Sequence, residues 1–434
     1  MRKPSHFFLL AASTAALPAV AAPLPIDPSS ISTPRPVSGP SASAIDRAIA
    51  ALDASDLATA EAAFHDAIKL EPKAPGGYIG LAEVAARRNQ PAQVESWLKK
   101  ALEVAPGSAG TLRVWGRYQY QRGQIADAEA TLRKAVATAP NDIDARLQLA
   151  EVQLLGLKNA KAAEQTIRVA LERNPGHVGA RLALAKALAA QGRANEAVAA
   201  FDQAARAAPD DPEPLLALAR YQASRAQIDL ALATLDRLIA AVPTAGQAYL
   251  DRGDLRLLKN DVPGAMDSYR ALIKAVPAQA ASGHFRLATL YDAQQQWALA
   301  EQSYRAAIQV DPTYVAAYNN LAFMLASRGQ KLDEAQRLAQ RAVELAPQVP
   351  ATLDTLAWVY RARGNLEAAA KTLDRAIAAQ PGNPVFHYHL GIVQSDQGRK
   401  AEAQASLRRA LEIDPKFRGA DDARTRLEKL GSRR

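Results

Sequence analysis

The chain has 434 residues, too many for one ordinary globular core, and its hydrophobic fraction of 49% is rich in alanine while aromatics reach only 6%; that balance suits closely packed helices better than a large aromatic-lined cavity. With no cysteine, a disulfide framework, a thiolate metal site, a cysteine nucleophile and a lipidated N-terminal cysteine are all excluded. The formal net charge of +9 is a mild bias over this length; without a dense Lys/Arg block it is compatible with an acidic polysaccharide partner but argues against nucleic acid.

Arg2 and Lys3 precede an almost wholly apolar stretch from Phe7 to Val20, and Ala19 and Ala21 supply the small residues a signal peptidase needs. Residues 1–21 therefore read as a signal peptide cleaved before Ala22, which predicts export across an inner membrane, into the periplasm, with no membrane anchor afterwards. Residues 22–43 form a Pro/Ser-rich tether, with prolines at 23, 25, 28, 34, 36 and 40 that forbid a helix or a sheet ladder.

From there a proline recurs, at 72, 106, 140, 175, 209, 243, 277, 312, 347, 381 and 415, spaced by 34 residues seven times and 35 three times. Five residues before most of these prolines stands a small apolar residue (Ala67, Ala101, Ala135, Ala170, Ala204, Ala342, Ala376, Ala410), and three before that a larger one such as Phe64, Leu132, Ile167 or Phe201. This is a helical apolar stripe in which the small residue permits close approach and the large one fills the space beside it, until proline ends the helix. An earlier helix in each unit, such as the one through Arg181-Leu182-Ala183-Leu184-Ala185, is separated from it by a turn where Gly123, Gly192, Gly329, Gly364 and Gly398 supply easy positive φ. The unit is a helical hairpin, stable only when stacked on its neighbours. After Pro415, Ala420, Ala423, Leu427 and Leu430 among charged residues predict a final solvating helix within residues 418–434.

In this register the sequence resembles the tetratricopeptide repeat (TPR) family. The signature is carried most fully by Leu353, Leu356, Ala357, Tyr360, Gly364, Ala369, Leu373, Ala376 and Pro381, and by His387, Leu390, Gly391, Gly398, Ala403, Leu407, Ala410 and Pro415. The resemblance implies an all-α fold, a right-handed superhelical α–α solenoid of about eleven hairpins over residues 44–417 plus a capping helix, whose first unit lacks the usual aromatic and leucine and looks like a cap. The three longer spacings place an extra residue near 158–161, 278–282 and 330–332, where a turn can absorb it.

The same resemblance implies a concave groove lined by first helices. Its middle would present Leu182, Lys186, Leu216, Arg220, Leu250 and Asp254, and its C-terminal part Phe285, Thr289, Asp292, Asn319, Phe323, Asp354, Trp358, Arg361, Tyr388 and Ile392. Of these, Phe285, Asn319, Phe323, Asp354, Trp358, Arg361 and Tyr388 combine large aromatic area with oriented hydrogen bonding and are the candidate ligand-binding residues. Nearer the N-terminus, Arg113, Arg117 and Tyr120 form a small basic and aromatic group on a solvated face, with Trp115 turned into the hairpin core. A receptor for acidic C-terminal tails is disfavoured, because the needed basic set is not assembled in three neighbouring units and Asp354 would repel a carboxylate.

Catalytic motifs are missing: there is no H-E-x-x-H, nucleophile elbow, phosphate loop or EF-hand spacing. His387 and His389, two apart on a helix, face different directions and cannot chelate together. Neither an enzyme nor a cofactor is expected. Three functions fit the pattern: an extracytoplasmic protein-interaction scaffold, an anionic carbohydrate-binding protein, or a structural spacer without a groove ligand. The signal segment and long array are weakly similar to periplasmic TPR scaffolds of exopolysaccharide export and surface-protein sorting.

Overall fold

A computed structural model describes residues 39–431; the expected signal peptide and most of the tether lie outside the described residues. Two units divide the described chain, residues 39–242 and residues 243–431. The first contains α1 (Ala42–Asp53), α2 (Leu57–Leu70), α3 (Gly76–Arg87), α4 (Pro91–Val104), α5 (Ala109–Gln121), α6 (Ile125–Thr138), α7 (Ile143–Glu151), α8 (Ala160–Arg173), α9 (Val178–Ala190), α10 (Ala194–Ala207), α11 (Glu213–Ser224) and α12 (Ile228–Ala241). The second contains α13 (Gly246–Leu258), α14 (Val262–Ala275), α15 (Ala280–Ala293), α16 (Trp297–Val310), α17 (Val315–Ser327), α18 (Leu332–Leu345), α19 (Pro350–Ala362), α20 (Leu366–Ala379), α21 (Pro384–Asp396), α22 (Lys400–Ile413) and α23 (Ala420–Gly431). Consecutive helices pair, α1 with α2 through α21 with α22, giving eleven hairpins among the described residues and a terminal helix: an all-α solenoid.

Each periodic proline works through the residue before it. Steric conflict with the proline ring drives that residue out of the helical basin, as at Glu71 (φ −137°, ψ 77°) and Asp414 (φ −148°, ψ 107°). Its N–H still reaches the small residue of the stripe, Glu71 to Ala67 and Asp414 to Ala410, so the helix closes with its last donor satisfied. The proline carbonyl is then capped by a side chain six residues on: Tyr78 to Pro72, Arg146 to Pro140, Arg181 to Pro175 and Tyr249 to Pro243. One residue thus ends a helix and offers the next hairpin an anchor.

Within hairpins, small meets large. A Cβ on Gly253 of α13 would lie 2.3 Å from the ring of Tyr269 on α14, and one on Gly391 of α21 would lie 2.7 Å from Leu407 on α22. Polar staples join the same helix pairs: Thr166 Oγ1 donates to Gln153 Oε1 (2.8 Å), Thr234 to Gln222 (2.7 Å) and Ser406 to Gln394 (2.8 Å). Because Gln222 and Thr234 are both buried, Thr234→Val is expected to orphan the glutamine and cost about 1–3 kcal/mol, read by denaturant titration.

Every hairpin turn holds a residue at positive φ. Five are the anticipated glycines, but Ser55, Asn89, Lys158, Ala226, Asn260 and Gln295 occupy the same place with φ between 55° and 61°. A branchless side chain gives Ala226 no local hydrogen bond to offset that conformation, so Ala226→Gly is expected to stabilise by about 1 kcal/mol, seen as a higher midpoint at unchanged slope.

The extra residues settle differently from one another. At the third site Lys331 (φ 46°) extends the turn after Gly329, and at the second a 3-10 turn over Pro277–Gln279 precedes α15, both as anticipated. The first was expected at 158–161, yet it is absorbed earlier, by a π-helical turn over Val152–Gly156 that continues α7. A helix can widen by one residue without breaking its hydrogen-bond chain, so no turn signal was needed. At the other end α23 buries Ala420 and Ala423 and packs Leu427 and Leu430 with Phe417 against the last hairpin, as the sequence implied.

Candidate functional site

Within residues 243–431 each second helix packs against its own first helix and against the helix that follows it, and the first helices α15, α17, α19 and α21 also meet in succession. Their outer sides therefore form one face within residues 243–431. Along it, side chains one repeat apart become neighbours.

Trp358 on α19 lies at the middle. Phe323 of α17 approaches its ring from one side (centroids 6.1 Å, 23°) and His389 of α21 from the other neighbouring helix (4.6 Å, 34°). Its indole N–H donates to Ser327 Oγ (3.1 Å), and the Arg361 guanidinium lies 4.7 Å from its ring centre. Arg361 is held there by donating to Asp396 (2.6 Å). Every contact fixes the indole orientation, leaving its edge rather than an open face for a partner.

His389 joins this group to the next. Its Nδ1 lies 2.7 Å from Asp354 Oδ1, both residues 9% exposed; a carboxylate can only accept, so Nδ1 carries the proton and donates. The His389 ring also packs on Tyr388 (5.4 Å), which packs on Phe417 (5.5 Å). Tyr388 donates its hydroxyl to Asp422 on α23 (2.8 Å); burial and that carboxylate push the phenol up to about 12. A continuous ladder, Phe323–Trp358–His389–Tyr388–Phe417, thus runs from α17 to the capping helix.

The structure brings together five candidates, Phe323, Asp354, Trp358, Arg361 and Tyr388, while Phe285 and Asn319 stand apart from the ladder. Phe285 packs between Tyr304 (6.0 Å) and Tyr314 (5.4 Å) in the core of the preceding hairpins. Asn319 donates to Asn320 Oδ1 (3.3 Å) while its own Oδ1 is buried without a hydrogen-bond partner. Sequence reasoning missed His389: the two histidines do diverge, His387 toward the Pro381 carbonyl (3.0 Å), but the signal for His389 was Asp354, 35 residues upstream and hence one repeat away.

Asp292 on the same unit is half-buried, and burial raises its carboxyl to about 6 against the opposing pull of Arg328. Folded Asp292 holds its proton more tightly than unfolded Asp292, so this group's contribution falls as pH rises from about 4 through about 6. Asp292→Asn is expected to flatten that slope and to stabilise the unit at pH 7 by about 1–2 kcal/mol, measured by melts between pH 4 and 8.

The N-terminal group does not form as anticipated. Arg113 is only 7% exposed and its Nη1 donates to Asp144 (2.9 Å), so it is a paired interior group and not part of a solvated face. Tyr120 packs against the buried cluster of Ala128, Leu132, Leu149 and Val152, while Trp115 stacks on Tyr118 (5.5 Å) at the hairpin core as expected. Among the described residues no three His, Asp or Glu side chains are placed to hold a metal ion.

Tetratricopeptide repeat family models match residues 45–109, 113–177, 154–221, 188–252, 313–381 and 355–416, well over half of the chain. The chain belongs to the tetratricopeptide repeat family. Comparison of this TPR protein with curated proteins gives no match. Among solved structures it is similar to yeast Tom70 (15% identity, TM-score 0.44, covering 90% of this chain and 95% of that one). It is also similar to a tetratricopeptide repeat protein from Parabacteroides merdae (19%, 0.43, 54% and 93%) and to the APC/C hetero-tetramer Cut9–Hcn1 (13%, 0.45, 88% and 95%). As a TPR solenoid, the protein has the fold of a protein-interaction scaffold.

Proposed function

We propose that this TPR protein is an extracytoplasmic scaffold that holds a protein partner on the first-helix face of its last three hairpins, within an envelope or polysaccharide-export assembly. The observation that carries the site is the ladder around Trp358: a fixed aromatic edge flanked by Arg361, Ser327 and the Asp354–His389 pair. Rigid aromatic area beside oriented polar groups is the composition of an interface hot spot, since little side-chain freedom remains to be lost on binding. The envelope location rests on the charged and apolar segment before Ala22.

Sugar stacking is the weaker reading. A pyranose needs an open aromatic face, and Trp358 is approached by Phe323 and His389 from both neighbouring first helices.

Affinity capture from the envelope fraction, run with wild type and with F323A/W358A, tests the proposal. Partners recovered by the wild type and lost from a variant of equal helical content would support it. Equal recovery would move binding to another surface, and N-terminal sequencing of the exported protein separately tests cleavage before Ala22.

A further inference from the structure

The π-helical turn Val152–Gly156 does more than absorb a residue. It carries Leu155 to 51% exposure, and Leu157 immediately after it stands at 39%. Gly156 sits against Tyr120 and Ile125, where a Cβ would meet Ile125 Cγ2 at 2.7 Å, so this turn lies directly on the α5–α6 turn. Arg122 is therefore beside it, with Lys158 and Lys161 following in sequence, all three exposed. Lys158 and Lys161 are exposed turn and helix-start cations, while Arg122 lies within electrostatic reach of Glu95. Most cationic side chains on this unit's second helices are paired: Arg133 to Glu129 (2.6 Å), Arg168 to Glu164 (2.7 Å) and Lys99 to Glu95 (2.7 Å). The carboxylates on this side of the turn are Asp127 in the first turn of α6, Glu151 one turn before Leu155, and Glu95 of α4, which reaches Arg122.

Two protruding leucines beside the exposed cations Arg122, Lys158 and Lys161 fit one chemistry well. Apolar tips enter the acyl boundary while basic side chains meet anionic headgroups. We propose that the α5–α6 and α7–α8 turn edge is a peripheral docking site for an anionic lipid bilayer. Contact is reversible and salt-sensitive, because two leucines and three cations hold a protein far less firmly than a spanning helix. Among the described residues no helix is long and apolar enough to cross a membrane.

Sedimentation of the purified full-length protein with vesicles of phosphatidylcholine alone, or with about one third phosphatidylglycerol, tests this. Binding to the anionic vesicles only is expected, weakened at least about tenfold by L155E/L157E and by K158E/K161E. The control is L258E, at the more exposed Leu258 (71%) in the other unit, which is expected to bind as wild type. All four changed leucine and lysine positions are exposed, so circular dichroism should be unchanged. Equal binding to both vesicle types, no binding, or the same loss from L258E would overturn the proposal.

Discussion

Replacing Asp354 by alanine is expected to lower the stability of the 243–431 unit by about 2–4 kcal/mol, the largest effect of any single polar substitution in the site. The pair it forms with His389 is buried on both sides, at 2.7 Å, and the imidazole Nδ1–H has no second acceptor. Losing the carboxylate leaves a desolvated donor. The asymmetry between breaking and removing such a pair supplies a sharper test: D354L/H389L deletes both halves and should recover a large part of the loss. A double-mutant cycle with coupling near zero would show that the two side chains act independently, contrary to this account.

Trp358→Ala is expected to cost about 2–3 kcal/mol and to abolish partner recovery while helical content stays unchanged. The stability loss comes from removing contacts with Phe323, His389 and Arg361 together with the hydrogen bond to Ser327. Its size is moderated because the indole is only partly buried. Trp358→Phe separates the two roles: a smaller ring keeps much of the stacking but cannot donate to Ser327. If capture survives W358F and fails in W358A, aromatic area carries binding; if it fails in both, the orientation imposed by the indole N–H carries it.

The fold was largely legible because its punctuation is local. A proline changes the conformation of the residue before it whatever the surroundings, and a small residue five positions earlier marks the helix end it caps, so period, hairpin and turn followed from chain chemistry alone. Some turns hid their nature: Ala226 and Gln295 adopt the same left-handed conformation as Gly364, but neither side chain advertises it. The π-turn at Val152–Gly156 was invisible for a related reason, since Val-Gln-Leu-Leu reads as ordinary helix.

The site was legible only in part. Phe323 and Trp358 were placed correctly on the first helices, but the meaning of a neighbour depended on contacts one repeat away. Asp354 was read as a groove-lining carboxylate without its partner His389, which the structure places against it; Arg113 was read as solvated, whereas Asp144 on the next hairpin pairs with it. Helical periodicity compares positions three or four apart, and these partners stand 31 and 35 residues away. In a stacked array the repeat length is itself a contact distance.

Site-specific photocrosslinking in cells tests the central claim most directly, with the reactive side chain placed at Phe323 on the first-helix face or at Arg375 on the exposed side of α20. A discrete protein adduct is expected from position 323 and none from position 375. Adducts from 375 alone would contradict it, by placing the partner on the second helices.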